Sequence, residues 1–291
     1  MRKKFSVIGG DLRLAYLARN LAKDNNEVYT YGVEHLENAP NLNLCKNLEE
    51  TIKNSNTIIS SIPFSKDYKN IYAPFCKEEI SLNKIANNLE NKTIFAGSIP
   101  EIFYALTDKK NVEIIDLMKE ESLTILNTIA TAEGAISEMI LNTTKNLHGS
   151  KVLIIGFGRV AKALAKKLAG LDAKITCSAR KEKDFAWIET LGYKVTNTNQ
   201  LSDNLKDYDI IINTVPQLIL DQNRLKYIKK DCLIIDLASK PGGVDEQACK
   251  KEKLKFIWAL AIPGKVSPES SAEFIKTTIY NKLRKGDITK N

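Results

Sequence analysis

Gly156-Phe-Gly-Arg-Val-Ala161 is the run of residues in this 291-residue chain best suited to do chemistry. A strand expected over 151–155 leads into it, and a helix expected over 159–168 leaves it. Gly156 permits a tight turn, Gly158 lets the backbone approach a pyrophosphate, and Ala161 keeps the helix close to the sheet. The first N–H groups of that helix, opening at Arg159 and Val160, lack partners within it and offer partial positive charge to a phosphate. Strand, glycine turn and helix in this order predict a dinucleotide site. The competing reading is a glycine turn that merely joins strand to helix.

The end of the next strand should choose the dinucleotide. A ribose 2′-hydroxyl usually meets an Asp or Glu about 20 residues beyond the glycines. Here the run is Ser178-Ala-Arg-Lys181, and no carboxylate follows until Glu182. Arg180 and Lys181 suit a 2′-phosphate, with Ser178 as a short donor beside them, so NADP is expected over NAD. The plain alternative is two solvated cations. Asn213-Thr-Val-Pro216 ends a later strand, and Thr214, Val215 and Pro216 can lie against the nicotinamide ribose; a simple proline-ended turn is the alternative. Ala238-Ser-Lys-Pro-Gly-Gly243 ends the strand after that, placing Ala238, Ser239 and Lys240 near the nicotinamide. Ala261-Ile-Pro-Gly-Lys265 lacks the first glycine of a P-loop, which argues against nucleotide hydrolysis.

In the first half, Gly9-Gly-Asp-Leu-Arg13 holds the corresponding turn without the dinucleotide spacing. It suits a small anion better, with Arg13 either pairing a substrate carboxylate or lying on a helix surface. Ser60, Ser61 and Ser98 end strands near proline turns and face the expected substrate cleft. Thr131-Ala-Glu-Gly134 lies where the chain leaves the first half, so Thr131 and Glu133 border the same cleft. Glu133 is either an acid/base or an early helix-turn acid that serves the helix dipole. Lys240, Glu133 and Thr131 are the candidate catalytic residues, with water as another proton carrier. His35 reads as a surface residue, and His148 is expected to cap a helix near its C-terminal end. Five cysteines without a CxxC pair and two distant histidines give neither a zinc site nor a disulfide framework.

Elements that position these residues follow from the alternation of short β-branched runs with helical stretches, the pattern of parallel sheets. Strands are expected at 5–8, 27–31, 57–60, 93–96 and 113–116, and again at 151–155, 174–177, 209–213, 232–237 and 255–259. The fold class is α/β, with two doubly wound, Rossmann-like domains joined by crossing helices. The expected division is 1–130 for a substrate domain and 131–150 for an interdomain helix, with Thr131 as its N-cap. Residues 151–266 form the NAD(P)-binding domain, and a helix over 267–286 returns to the first domain. A hydrophobic share of 43% against 27% charged fits a globular chain with real cores, and no apolar run reaches a membrane span. The N-terminus lacks a signal-peptide core, so a cytosolic protein is expected. The net charge of +8 comes from lysines scattered among acids, so nucleic acid is not expected as a partner.

Taken together, Gly9-Gly-Asp-Leu-Arg13, Thr131-Ala-Glu-Gly-Ala135, Gly156-Phe-Gly-Arg-Val160, Ile212-Asn-Thr-Val-Pro216, Ile235-Asp-Leu-Ala-Ser-Lys-Pro-Gly-Gly243 and Pro263-Gly-Lys-Val266 resemble the A subunits of dipicolinate synthase from spore-forming bacteria. The resemblance runs nearly end to end. Ala161 departs from it, since glycine is also usual there. It implies oxidation of dihydrodipicolinate, derived from 4-hydroxy-tetrahydrodipicolinate of the lysine pathway, to pyridine-2,6-dicarboxylate for sporulation. It also implies a homo-oligomer in the mother-cell cytoplasm that acts with a flavoprotein-like B subunit. A dianionic substrate needs cations and hydroxyls, which Arg13, Ser61, Ser98, Thr131 and Lys240 would supply. Two other readings stay open. One is a different two-domain NADP dehydrogenase, since Asn-Thr-Val-Pro is similar to the Asn-x-Thr-Pro turn of shikimate dehydrogenases, although the Lys-Asp pair of that family has no counterpart here. The other is a non-catalytic nucleotide-binding scaffold protein.

Overall fold

Strands buried on both faces read as near-continuous Ile, Val and Leu runs, and β-branched side chains fit such a pleated surface. The computed structural model describes residues 2–34 and 39–289, and the side chains of these except 202–204 and 285–289. His35 lies outside the described residues. The chain divides into two compact units, Met1–Asn127 with Ser267–Asn291, and Thr128–Val266.

The first unit contains β1 (Lys4–Ile8), α1 (Leu12–Lys23), β2 (Glu27–Tyr31), β3 (Leu42–Leu44), α2 (Leu48–Lys53), β4 (Thr57–Ser60), α3 (Leu82–Asn87), β5 (Thr93–Ala96), α4 (Glu101–Thr107) and β6 (Glu113–Asp116). The chain then enters α5 (Glu121–Asn142), inside which the division falls. The second unit continues with β7 (Lys151–Ile155), α6 (Arg159–Ala169), β8 (Lys174–Ala179), α7 (Glu182–Thr190), β9 (Lys194–Asn197), β10 (Ile210–Asn213), α8 (Gln222–Leu225), β11 (Leu233–Asp236), α9 (Glu246–Lys251), β12 (Lys255–Trp258) and α10 (Ile262–Val266). A last helix, α11 (Pro268–Thr289), belongs to the first unit.

Each unit has a six-stranded parallel sheet, ordered β3-β2-β1-β4-β5-β6 in the first and β12-β11-β10-β7-β8-β9 in the second. Both are the doubly wound order, whose direction of winding reverses beside the first strand of the unit. That reversal puts the turns after β1 and β7 where ligands bind in open α/β sheets.

Side chains alternate across each strand, so each sheet feeds two cores. In the first unit Phe5, Val7, Ile59 and Phe95 pack with α1 and α11 on one face, while Ile8, Ile58, Ile94 and Ala96 pack with α2, α3 and α4 on the other. In the second, Val152, Ile154 and Ile212 pack with α5 and α6, and Leu153, Ile155 and Ile211 with α9. Each fully buried aliphatic or aromatic side chain here contributes about 1.5–3 kcal/mol relative to exposure. Ala272, Ile275 and Ile279 of α11 are fully or nearly fully buried in the first-unit core.

The long helix corrects one expectation. It begins at Glu121, so Thr131 lies in its interior and is not an N-cap. Leu123, Ala130 and Ala132 are buried along it, and this packing outweighs the weak helix propensity of a Thr- and Ile-rich stretch. His148 lies beyond the helix end, exposed, with Nδ1 3.3 Å from Asp172. Among the described residues no helix is long and apolar enough to cross a membrane.

Cys177, Cys232 and Cys249 are buried core residues, and burial pushes each thiol up to about 12. Cys45 and Cys76 are half-buried. Maleimide at neutral pH is therefore expected to modify Cys45 and Cys76 alone in the native protein, and all five thiols after denaturation. Labelling of Cys177 ahead of unfolding would contradict the packing.

Candidate functional site

The turn after β7 has the backbone a pyrophosphate needs. Gly156 sits at φ +93°, and a Cβ there would lie 2.7 Å from Thr214 Oγ1 and 2.8 Å from Val215 Cγ2. Only glycine fits that turn without strain and collision. Gly158 differs: a Cβ there would meet nothing within 4 Å, so its bareness opens space instead of relieving packing. It is the N-cap of α6 and, as glycine, brings no side chain of its own to cap that helix. The start of this eleven-residue helix, beside an open glycine, fits the pyrophosphate of a dinucleotide.

A cavity of about 230 Å³ adjoins this turn, lined by Gly156, Gly158, Arg180, Lys181, Asp184 and Thr198 among others. Arg180 and Lys181 are exposed and make no ion pair among the described residues. Asp184, in the first turn of α7, brings one carboxylate to the same lining. Ser178 is not on the ribose edge as expected. It is fully buried, with its hydroxyl 2.9 Å from Thr198 Oγ1 and 3.3 Å from Gly156 N, so it supports the glycine turn from beneath. Its side chain points into the core because the alternation of β8 puts it there.

On the other side of β7, Thr214 donates its N–H (3.0 Å) and hydroxyl (2.8 Å) to Ile155 O, which holds the loop against Gly156. Val215 is half-buried and Pro216 exposed. The β11 loop exposes Ser239 and Lys240, and among the described residues Lys240 makes no ion pair. Ala238 is buried, and its carbonyl accepts from Trp258 Nε1 at 3.0 Å. Sequence reasoning passed over Asp236, which lies beneath both loops. The signal was present in Gly242-Gly243, where a Cβ would lie 3.0 Å from Asp236 Oδ2 and 2.3 Å from Asn213 Nδ2, respectively.

The first-unit turn is built from the same parts but is covered. Gly10 N donates to Tyr72 O at 2.8 Å, and a Cβ on Gly9 would lie 2.9 Å from Ile71 Cδ1 and 3.0 Å from Ala73 Cβ. Residues 71–73 therefore lie over the turn where a phosphate would approach. Arg13, expected to meet a substrate carboxylate, is 8% exposed. Its Nε and Nη2 grip Asp11 at 2.9 and 2.8 Å, and Nη2 also donates to Ile62 O. Its fork is thus engaged in fixing the start of α1 to the loop after β4. Ser60 and Ser61 are buried, donating to Ile8 O and Phe64 O at 3.0 Å each. Both are structural bonds, which removes Ser61 as a free hydroxyl. Ser98 is exposed and sits at φ +54°, held there by Asp116, which accepts from Ser98 N at 2.9 Å and Ile99 N at 3.2 Å.

Glu133, expected as an acid/base, forms an exposed ion pair with Lys167 of α6, Nζ to Oε1 2.8 Å. The neighbouring Gly134 has a packing role, since a Cβ there would lie 2.1 Å from Ile262 Cγ2 of α10. Thr131 is half-buried inside α5.

Fold and turn geometry together define an α/β chain whose second unit is of the dinucleotide-binding class. Residues 124–252 match the D-isomer specific 2-hydroxyacid dehydrogenase, NAD binding domain, and residues 4–118 match the N-terminal domain of dipicolinate synthase A subunits. The A subunit of dipicolinate synthase from Bacillus subtilis is 29% identical over 283 residues, which cover 96% of this chain and 95% of that protein. The crystal structure of that Bacillus subtilis protein superposes with a TM-score of 0.86 at 28% identity, covering 98% of this chain and 97% of the other. The corresponding dipicolinate synthase A subunit of Bacillus halodurans gives 0.87 at 27% identity, covering 97% of each chain. Over nearly its whole length this chain is similar to the A subunits of dipicolinate synthase.

Proposed function

We propose that this chain oxidises dihydrodipicolinate, derived from 4-hydroxy-tetrahydrodipicolinate, to dipicolinate with NADP, acting with a flavoprotein-like B subunit in the cytoplasm of a sporulating cell. The observation that carries the nucleotide part is the open Gly156/Gly158 turn sharing one cavity with Arg180 and Lys181. The substrate part rests on the family. A bound nicotinamide supplies a two-electron hydride acceptor. The dihydropyridine ring loses one hydride and one proton and becomes aromatic, so the protein chiefly has to bind and orient. Lys240, exposed without an ion partner among the described residues, supplies charge for a substrate carboxylate, and water takes the released proton. Ser98, exposed after β5, is kept as a hydroxyl candidate, whereas the Ser61 hydroxyl and the Arg13 guanidinium are engaged.

The experiment gives the purified chain, alone and with the B subunit, hydroxy-tetrahydrodipicolinate and NADP. Dipicolinate formed with stoichiometric NADPH supports the reading. No product under either condition favours a different substrate or a scaffold role. For the choice of nucleotide, Arg180→Asp is expected to weaken NADPH binding about 30-fold or more, since a charge-assisted bond is lost and a repulsion gained, and NADH binding about threefold or less. Equal losses in a calorimetric titration would refute the assignment.

A further inference from the structure

Asp236 ends β11 and is 1% exposed, and three donors converge on its carboxylate. Asn213 Nδ2 (2.8 Å) and Ala238 N (2.9 Å) reach Oδ1, and Gly243 N reaches Oδ2 at 2.7 Å. Asn213, its register partner on β10, is itself fully buried. Its amide clasps Val215 from both sides, accepting from Val215 N at 3.2 Å and donating to Val215 O at 2.9 Å. Gly243 closes the arrangement. A Cβ there would lie 2.3 Å from Asn213 Nδ2 and 2.5 Å from Val215 O, and its carbonyl accepts from Ile219 N and Leu220 N at 2.9 Å each.

One buried carboxylate thus ties the loop 213–216 to the loop 238–243. A charge taken out of water must have its lone pairs filled. Here loop amides fill them, so the charge holds the loops and the loops solvate the charge. In a doubly wound sheet the two strand sets bind the two halves of a dinucleotide. Residues beyond β7 and β8 serve the adenylate half. The tied loops follow β10 and β11, on the nicotinamide side.

We infer that Asn213 and Asp236 are positioning residues that preform the nicotinamide half of the site. The inference rests on dinucleotide binding by this unit, which titration of the unaltered chain tests by itself. An amide in place of the carboxylate would offer one acceptor to three donors and turn an N–H toward Gly243 N. Asp236→Asn and Asn213→Ser are each titrated calorimetrically with NADPH or NADH, whichever the unaltered chain binds more tightly. The matching ADP-ribose, with or without 2′-phosphate, is titrated alongside. Affinity for the dinucleotide is expected to fall about tenfold or more, the effect of one unsatisfied buried group, with ADP-ribose affinity within about twofold of the original. Parallel loss of both ligands, or loss of neither, overturns the inference. Should Asp236→Asn not fold, Asn213→Ser decides, because it leaves Asp236 with both loop amides.

Discussion

Gly156→Ala is expected to weaken dinucleotide binding about 100-fold, the scale of a 1 Å misplacement in a preorganised site. At φ +93° the alanine is strained, by about 1–2 kcal/mol for an ordinary left-handed residue. Its methyl also displaces Thr214 Oγ1 and Val215, which lie 2.7 and 2.8 Å from the Cβ position. The turn and the loop after β10 therefore move together. Gly158→Ala separates binding from folding. Its φ is −83° and its Cβ meets nothing within 4 Å, so stability should change by no more than an N-cap substitution causes, about 1 kcal/mol. The methyl enters the space left for the pyrophosphate, and affinity should fall about tenfold. Equilibrium titration with thermal denaturation checks both. Unaltered affinity in both variants would mean the phosphate lies elsewhere.

The second large effect is expected at Lys240, proposed to meet a substrate carboxylate. Lys240→Met should lower kcat/KM for the dicarboxylate about 30-fold, the value of one charge-assisted hydrogen bond, and leave dinucleotide affinity within about twofold. Lys240→Arg should restore part of the loss, because the charge returns with a different reach. The two effects are measured by steady-state kinetics and by titration of the same preparations. A fall in dinucleotide affinity with kcat/KM for the dicarboxylate intact would assign Lys240 to the cofactor.

How much of this was legible in the residues depended on whether the cause was local. The central strands were readable, since Ile210-Ile-Ile-Asn213 and Leu233-Ile-Ile-Asp236 announce burial on both faces. Strands β3 and β9 were not. They are sheet edges, and Leu42-Asn-Leu44 and Lys194-Val-Thr-Asn197 are exposed or half-exposed throughout. The short helices α2, α3 and α8 escape notice for a similar reason, having too few turns to show a period. The glycine turn was legible because its requirement is a backbone one, written in two residues. Side-chain partnerships were not. Glu133 looked available until Lys167, 34 positions on, took its carboxylate. Arg13 is held by a neighbour two residues away and a carbonyl 49 away. Ser178 needed the phase of β8, where one position decides between ligand and core. Asp236 was hidden because a strand-ending Asp carries no mark of the three donors that meet it.

The two units pose the sharpest test, since their turns share a topology and differ in cover. The turn after β7 opens beside Gly158, whereas residues 71–73 lie over the turn after β1. Calorimetric counting of NADPH sites on the purified chain should return one per chain, with affinity lowered by Gly158→Ala. A count of two, or of none, or a single site indifferent to that substitution, would contradict the assignment of the nucleotide to the second unit.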